Sequence, residues 1–451
     1  MKTQNITTAT LAASIIAGAA AANDALAQTS DPALNALVKK GILTEKEAKD
    51  ALAEAQAQAK SKPSGDVRVS WKDGLAYQSA DGLFKGKLGG RVHFDIAAFD
   101  EDDDVNALVG DIPAATEFRR ARLSLEGEIG LAHPVFFKTE FEFATSDVQL
   151  TDVFVGIDKI PFVGRITAGH FKEPMGLEWM TSSKFLTFIE RAAPVEAFGP
   201  GRNLGVGFSN AKLNEHLTYA AGLFADTPEN GKLASVDSNY RVTARVTGLP
   251  WYDEEAKGAR LFHVGASGSY IDPGAAGVQY RSRPEAHLAP RFIDTGTNSA
   301  IFSVSDHSCL VNAEAAVVFG PFSLQGEYYR TWVSAGNASP TLDGFYLMAS
   351  WFITGEHRNY KRSTGAFDRT IPAHNLTDGG IGAWELALRY SGTDLNDDGV
   401  NGGRLNDITG GVNWYLNPNA KIQMNYVNAR VDRVAAAGTA HIFQGRFAVD
   451  F

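Results

Sequence analysis

Arg91-Val92-His93-Phe94-Asp95-Ile96 alternates strictly between polar and apolar residues. In an extended chain successive side chains point to opposite faces. Val92, Phe94 and Ile96 therefore share one face, and Arg91, His93 and Asp95 the other. The same period of two returns along the chain. Arg120, Arg122, Ser124, Glu126 and Glu128 stand against Ala121, Leu123, Leu125 and Ile129. Lys138, Glu140 and Glu142 stand against Val135, Phe137, Phe141 and Phe143. Arg241, Thr243 and Arg245 oppose Val242, Ala244 and Val246, and Glu385 and Arg389 oppose Trp384, Leu386, Leu388 and Tyr390.

A soluble β-sandwich also alternates, but with shorter strands. Here the runs last roughly ten residues, the length of a tilted bilayer span, and aromatic residues gather at the ends of the apolar face. After the first thirty positions no run of about 18 uncharged apolar residues occurs, which excludes transmembrane helices. A mean hydropathy of −0.16 fits a barrel, because lumen-facing and lipid-facing residues average out. In lipid only a closed sheet satisfies every strand hydrogen bond. The predicted fold is all-β: an antiparallel transmembrane β-barrel preceded by a short N-terminal helical segment.

Turn lengths set the strand number. Barrels alternate short turns at the periplasmic end with longer outer loops. Residues 130–134, 210–215, Gly320-Pro321 and 417–419 read as short turns. Residues 100–116, 173–203, 225–238, 272–308, 391–403 and 431–439 read as longer loops. A further strand at Glu285 to Phe292 would make seventeen and put Gly320-Pro321 on the outer side. With both ends periplasmic the count must be even. Assigning 272–308 wholly to a loop gives sixteen. Two connections strain the scheme: Ser146-Asp147 is short for an outer loop, and 355–380 is long for a periplasmic turn.

The termini carry their own signals. Residues 1–27 read as a signal peptide, with Lys2 at the positive end, an apolar core from Leu11 to Ala22, and the cleavage pattern Ala25-Leu26-Ala27. The mature chain is then expected to start at Gln28. Residues 28–64 form a periplasmic helical segment and linker. Asp31-Pro32 opens one helix, Gly41 breaks it, and Thr44-Glu45-Lys46-Glu47 is a capping box opening a second. Ala48, Leu52, Ala55 and Ala59 make a narrow seam, suited either to a short coiled coil between subunits or to a lone solvated helix. The barrel occupies 65–451 and ends Phe447-Ala448-Val449-Asp450-Phe451. A terminal aromatic on an alternating strand resembles the sorting signal of outer-membrane barrels, so the expected location is the bacterial outer membrane.

Composition narrows function. The 451 residues include 45 glycines, which suits many turns, and one cysteine, Cys309, which cannot form an intrachain disulfide. The net charge of −10 argues against nucleic acid. No Gly-x-Ser-x-Gly elbow or phosphate-cradling glycine loop stands in a strand–helix context, and the histidines lack metal-ligand spacing. No enzyme activity, cofactor or metal is expected. Asp394-x-Asn396-x-Asp398-Gly399 copies the start of a calcium loop, but its twelfth position is Leu405 and not a bidentate Glu, so it reads as a turn.

Longer motifs carry a resemblance. Gly169-His170-Phe171-Lys172-Glu173-Pro174-Met175-Gly176-Leu177-Glu178 continues to Thr181-Ser182-Ser183-Lys184, Ile189-Glu190-Arg191-Ala192 and Gly199-Pro200-Gly201-Arg202-Asn203-Leu204-Gly205. With Phe118-Arg119-Arg120-Ala121-Arg122-Leu123, residues 382–391, Asp394-Leu395-Asn396-Asp397 and 411–419, these resemble the phosphate-selective porins of the porin O and P group. The likeness runs from about Gly65 to Phe451. It implies a sixteen-stranded homotrimeric barrel in outer-membrane lipid. It also implies a third outer loop, here Glu173 to Asn203, folded into the lumen and narrowing it. These motifs mark the family and not phosphate itself.

An anion pore needs Arg and Lys to replace the solute's hydration shell. The expected constriction and anion-binding residues are Lys184, Arg191 and Arg202 in the loop, and Arg120, Arg122, Arg241, Arg245 and Arg389 on the lumen face. Lumen arginines can instead pair with Glu126, Glu128, Glu140, Glu142 or Glu385 and merely stiffen the wall. The reading is a porin passing small anions, phosphate or a relative among them. The alternatives are a general or other-substrate porin, or a barrel used for adhesion or envelope tethering.

Overall fold

Long alternating strands can enclose one face by rolling the sheet into a closed barrel, and here they do. A computed structural model describes residues 32–61, 67–71, 73–227, 239–274, 277–296 and 305–451. The signal-peptide reading over 1–27 lies outside these residues. The strands are β1 Val67–Trp71, β2 Leu75–Ser79, β3 Phe84–Glu101, β4 Ala115–Ile129, β5 Val135–Glu142, β6 Gln149–Ile160, β7 Gly164–Lys172, β8 Arg202–Lys212, β9 Leu217–Ala225, β10 Tyr240–Tyr252 and β11 Arg260–Asp272. They continue with β12 Arg281–Ser282, β13 Ile293–Asp294, β14 Ser305–Phe319, β15 Phe322–Ala335, β16 Thr341–Phe352, β17 Tyr360–Lys361, β18 Ala366–Phe367, β19 Ala383–Asp397, β20 Val400–Asn417, β21 Ala420–Asp432 and β22 Ala437–Asp450.

Eighteen of these share one sheet. Sixteen close the barrel: the last, β22, pairs antiparallel with β3 from Asp450↔Arg91 to Ala440↔Glu101. The remaining two form a hairpin whose β2 covers the edge of β3 below that seam, Leu75 opposite Leu88. The seam ends where Gly90 N–H donates to the Phe451 carbonyl at 2.7 Å. A Cβ at Gly90 would stand 2.6 Å from the Arg122 carbonyl oxygen, so only glycine admits this approach.

The outer wall is the apolar face of the alternation. Val92, Phe94, Phe118, Leu123, Val242, Val246, Leu386 and Leu388 are exposed on it. Aromatic pairs band both ends. Trp384 stacks on Trp414 at 5.0 Å and Phe322 on Trp351 at 5.7 Å near the end bearing the C-terminus, and Tyr240 meets Tyr270 at 6.3 Å near the far end. Such girdles sit at the two lipid–water boundaries.

Before the barrel stand α1 (Pro32–Lys39) and α2 (Glu45–Ser61), and α3 (Asp103–Val109) follows β3. The capping box forms as its spacing requires: Glu47 Oε2 accepts from the Thr44 N–H at 2.7 Å, and Thr44 Oγ1 accepts from the Glu47 N–H at 3.2 Å.

Two expected outer loops are mostly strand. β19 and β20 run on to Asp397 and from Val400, leaving the turn Asp398-Gly399, with φ of 43° and 82°. Positive φ at both central residues suits a tight hairpin, and Asp-Gly supplies it. Residues 433–436 alone join β21 to β22. The carboxylates of the calcium-like motif are used locally. Asp394 accepts from Arg404 at 2.6 Å, Asp397 from the Thr341 N–H at 2.7 Å, and Asp398 from the Ser339 N–H at 2.6 Å.

Candidate functional site

The lumen is not an open cylinder. Three chain segments fold into it, because each carries apolar residues that the wall can cover. Residues 173–201 contain α4 (Leu177–Met180) and α5 (Ala193–Phe198), with Met175, Leu177, Phe188, Ile189 and Phe198 all buried. Residues 277–296 carry the small hairpin β12–β13, with Phe292 and Ile293 buried. Residues 353–382, at the end bearing the C-terminus, bring in the hairpin β17–β18, whose Phe367 joins Leu177, Leu249 and Leu261. The 353–382 connection is long because it fills the lumen as well as turning.

Wall glycines make room for these insertions. A Cβ on Gly344 would stand 2.8 Å from Pro194 Cβ, and one on Gly411 would stand 3.1 Å from the Phe188 ring. Phe198 stacks on Tyr329 at 6.1 Å. Wall donors then seize the backbone of the first insertion: Lys421 donates to the Leu186 carbonyl at 2.8 Å, and Asn413 to that of Thr187 at 2.8 Å.

Period-two reading places the wall residues correctly. Arg120, Arg122, Arg241, Arg245 and Arg389 all face inward and are well covered, with Arg389 1% exposed. Their partners are carboxylates. Arg122 meets Glu140 at 2.9 Å and Glu142 at 2.6 Å, Arg241 meets Asp226 at 3.2 Å, and Arg245 meets Glu314 at 2.6 Å. Arg389 meets Glu285 at 2.5 Å and Glu178 at 3.1 Å. Arg120 lies 3.7 Å from Glu190. Arg202 begins β8 and pairs with Asp152 at 2.7 Å, while Lys184 sits toward the other mouth, 3.4 Å from Asp450. The eight residues are therefore spread along the lumen and not gathered in one site.

Arg191 differs. Its guanidinium donates to the carbonyls of Glu178 at 3.1 Å and Thr181 at 2.9 Å, and lies 5.0 Å from the Trp179 ring. Among the described residues no carboxylate oxygen lies within ion-pair distance of it. Carbonyl acceptors fix a guanidinium without cancelling its charge. Arg191 lines a hollow of about 110 Å³ with Arg119, Trp179, Glu190, Glu196, Arg283, Ala286 and His287. This aperture lies between β4 and the two insertions 173–201 and 277–296.

Arg119, Arg283, Arg291 and His287 escaped the alternation argument. Arg119 does so through a β-bulge: the β3–β4 register shifts between His93↔Arg120 and Phe94↔Phe118. The extra residue turns Arg119 as well as Arg120 toward the lumen, where it grips Glu190 with two bonds at 2.9 and 3.2 Å. The adjacent Arg119-Arg120 pair was the available signal, since strict alternation cannot place both inward. Arg283 and Arg291 bind Glu196 of α5 at 2.9 and 3.4 Å, across sequence distances that no local pattern reveals.

A larger hollow of about 1030 Å³ lies elsewhere, along the wall by Ile96, Ala98, Leu386, Gly410, Met424 and Phe443. Its lining is apolar and mostly on the outer face, so it is part of the membrane belt and not the passage.

The sequence model of the phosphate-selective porin O and P family matches residues 87–451. The chain belongs to this porin family. Porin O of Pseudomonas aeruginosa is 28% identical over 418 residues, covering 85% of this porin and 91% of that one. An uncharacterized protein of Caulobacter vibrioides is 30% identical over 380 residues, covering 80% of this chain and 72% of its own. In three dimensions an anion-selective porin from Comamonas acidovorans superposes with a TM-score of 0.52 at 13% identity, over 82% of this chain and all of that one. OmpT of Vibrio cholerae gives 0.52 at 12%, over 82% and 98%. These two likenesses establish the barrel fold. The porin resides in the bacterial outer membrane, and its fold is that of a channel rather than an enzyme.

Proposed function

We propose that this porin lets small anions, phosphate or related ones among them, diffuse across the outer membrane, and that the aperture at Arg191 sets its preference. One observation carries the reading: three guanidinium groups, Arg119, Arg191 and Arg283, border a hollow of about 110 Å³ that has two lining carboxylates, and Arg191 is held by carbonyls alone. A cation with spare donors can replace part of an anion's hydration shell. The paired arginines on either side, Arg120 and Arg122 on β4 and Arg202 on β8, offer weaker positions along the way. Lys184 and Arg369 near the other mouth do the same beside Asp450. Several moderate sites suit transport, since a solute held tightly does not leave. The description of the family as phosphate-selective and the name of the anion-selective porin support the reading.

In this reading residues 1–27 are a cleaved signal, 28–64 hang in the periplasm, and three copies assemble side by side. Glu190, Glu196 and Glu117 around the same aperture favour one rival, a general porin with weak charge preference. Reversal potentials in planar bilayers under KCl gradients test the choice. The expected result is preference for chloride over potassium, with chloride current reduced by added phosphate. A cation-selective pore would overturn it, and an unselective one would favour the rival.

A further inference from the structure

One contact at the aperture ties an inserted segment to the wall and yet stays partly open to solvent. His287, on the inserted segment 277–296, places Nδ1 2.7 Å from Glu117 Oε1 and 2.9 Å from Oε2. Glu117 is on β4, opposite Asp95 in the register, so its carboxylate faces the lumen. The pair joins an inserted segment to β4, the strand that carries Arg119 of the aperture. Both side chains remain partly open, 35% for His287 and 21% for Glu117. A buried structural pair such as His263 with Glu314 has no exposure at all.

The chemistry of this pair is asymmetric. With Nδ1–H donating to the carboxylate, the second ring nitrogen, Nε2, is the proton-accepting site. With His287 neutral the pair carries one negative charge, that of Glu117; with His287 protonated it carries none. The groups facing it are Glu117 and Arg119 from β4, Trp179, Glu190, Arg191 and Glu196 from segment 173–201, and Arg283 and Arg291 from its own segment. A change of one unit at a passage of this size alters the field that a permeating ion meets, because water there is too scarce to screen it.

We propose that the His287–Glu117 pair is a proton-controlled selectivity element: protonation of His287 cancels Glu117 at the aperture and raises preference for anions. The proposal rests on the aperture being the conducting passage. Histidine as a class changes charge between about pH 5 and pH 8. The test is the chloride-to-potassium permeability ratio of the full chain in planar bilayers at about pH 8 and about pH 5.5, for wild type, His287→Gln and Glu117→Gln. Heat-modifiable gel migration first shows that each variant is folded.

In wild type the ratio should rise roughly threefold on acidification, the scale expected for one unit of charge a few ångströms from the ion path. Folded His287→Gln should lose that rise. Glu117→Gln should already show a raised ratio at the higher pH and a smaller further change. A wild type without pH dependence, or a folded His287→Gln retaining the full rise, overturns the proposal. A wild type selective for cations at both pH values instead overturns the anion-pore reading, and the presence or loss of the pH response is still read from the same traces.

Discussion

Arg446 and Asp95 face each other across the seam where the last strand of the barrel meets the first. Arg446 Nε lies 2.7 Å from Asp95 Oδ1 and Nη2 lies 2.6 Å from Oδ2, a bidentate pair with the guanidinium 1% exposed. The same arginine donates to the Ile189 carbonyl at 2.5 Å and to Glu190 at 2.8 Å. One side chain therefore closes the barrel and grips the insertion that narrows it.

Removing one partner of such a buried pair strands the other charge, which costs about 3–5 kcal/mol. Arg446→Gln should accordingly melt at a markedly lower temperature in detergent, followed by heat-modifiable gel migration, and its channel should be noisier. Arg446→Lys, which keeps the charge but not the fork, should fall between. Wild-type melting and quiet current in Arg446→Gln would show that neither seam nor insertion depends on it.

Glu327 of β15 should act as the anchor of α4. Its carboxylate accepts from the Leu177 N–H at 3.0 Å, the Glu178 N–H at 2.6 Å, Asn312 at 3.1 Å, and the hydroxyls of Tyr329 and Tyr346 at 2.9 and 2.6 Å. Each buried donor left without an acceptor costs about 1–3 kcal/mol. Glu327→Leu is expected to free the start of segment 173–201, so that single-channel conductance grows and fluctuates. Unchanged conductance in a folded variant would place the anchor elsewhere, on Arg389 or Lys421.

Arg191 and Arg202 should not be equivalent. Arg202 is already neutralised by Asp152, while Arg191 is held by carbonyls. Arg191→Glu is expected to move the reversal potential strongly toward cations, and Arg202→Glu only weakly, although the latter should also lower stability by facing Asp152. Equal shifts would mean that the ion path runs along β8 and not through the hollow at Arg119. No shift in either would take segment 173–201 out of the conducting path.

Barrel orientation is checked by labelling intact cells in a Cys309→Ser background, since Cys309 is a free thiol. A cysteine at Asn337, exposed between β15 and β16, should react with a membrane-impermeant maleimide. One at Pro321, in the tight turn between β14 and β15, should react only after the outer membrane is opened. The reverse pattern would invert the barrel and move the 353–382 segment to the outer mouth.

Wherever a residue's surroundings depend on its immediate neighbours, its place was legible. Arg122, Arg241, Arg245 and Arg389 face inward because side-chain direction in a strand alternates. Thr44 and Glu47 cap a helix because they lie three residues apart. The even strand count followed from turn lengths once both ends of the barrel were placed on the periplasmic side. Asp398-Gly399 shows the limit of that method. The segment around it reads as an outer loop by polarity, yet Asp-Gly makes a hairpin so tight that both strands continue almost to it.

The amino-acid sequence by itself determined a closed outer-membrane barrel of sixteen strands, the identity of its lumen face and the family to which it belongs. Tertiary structure alone decided which cations stay uncompensated. Glu285 lies 104 residues before Arg389, and Glu196 lies 87 before Arg283, yet each pair is in contact. An arginine's effective charge depends on whether a carboxylate reaches it, and that is a matter of where inserted segments come to rest. Period and spacing act over a few residues, whereas these insertions are placed by apolar burial against walls far away in the chain. The bulge that turns Arg119 inward and the crossing of His287 to Glu117 arise only once strands and insertions have met.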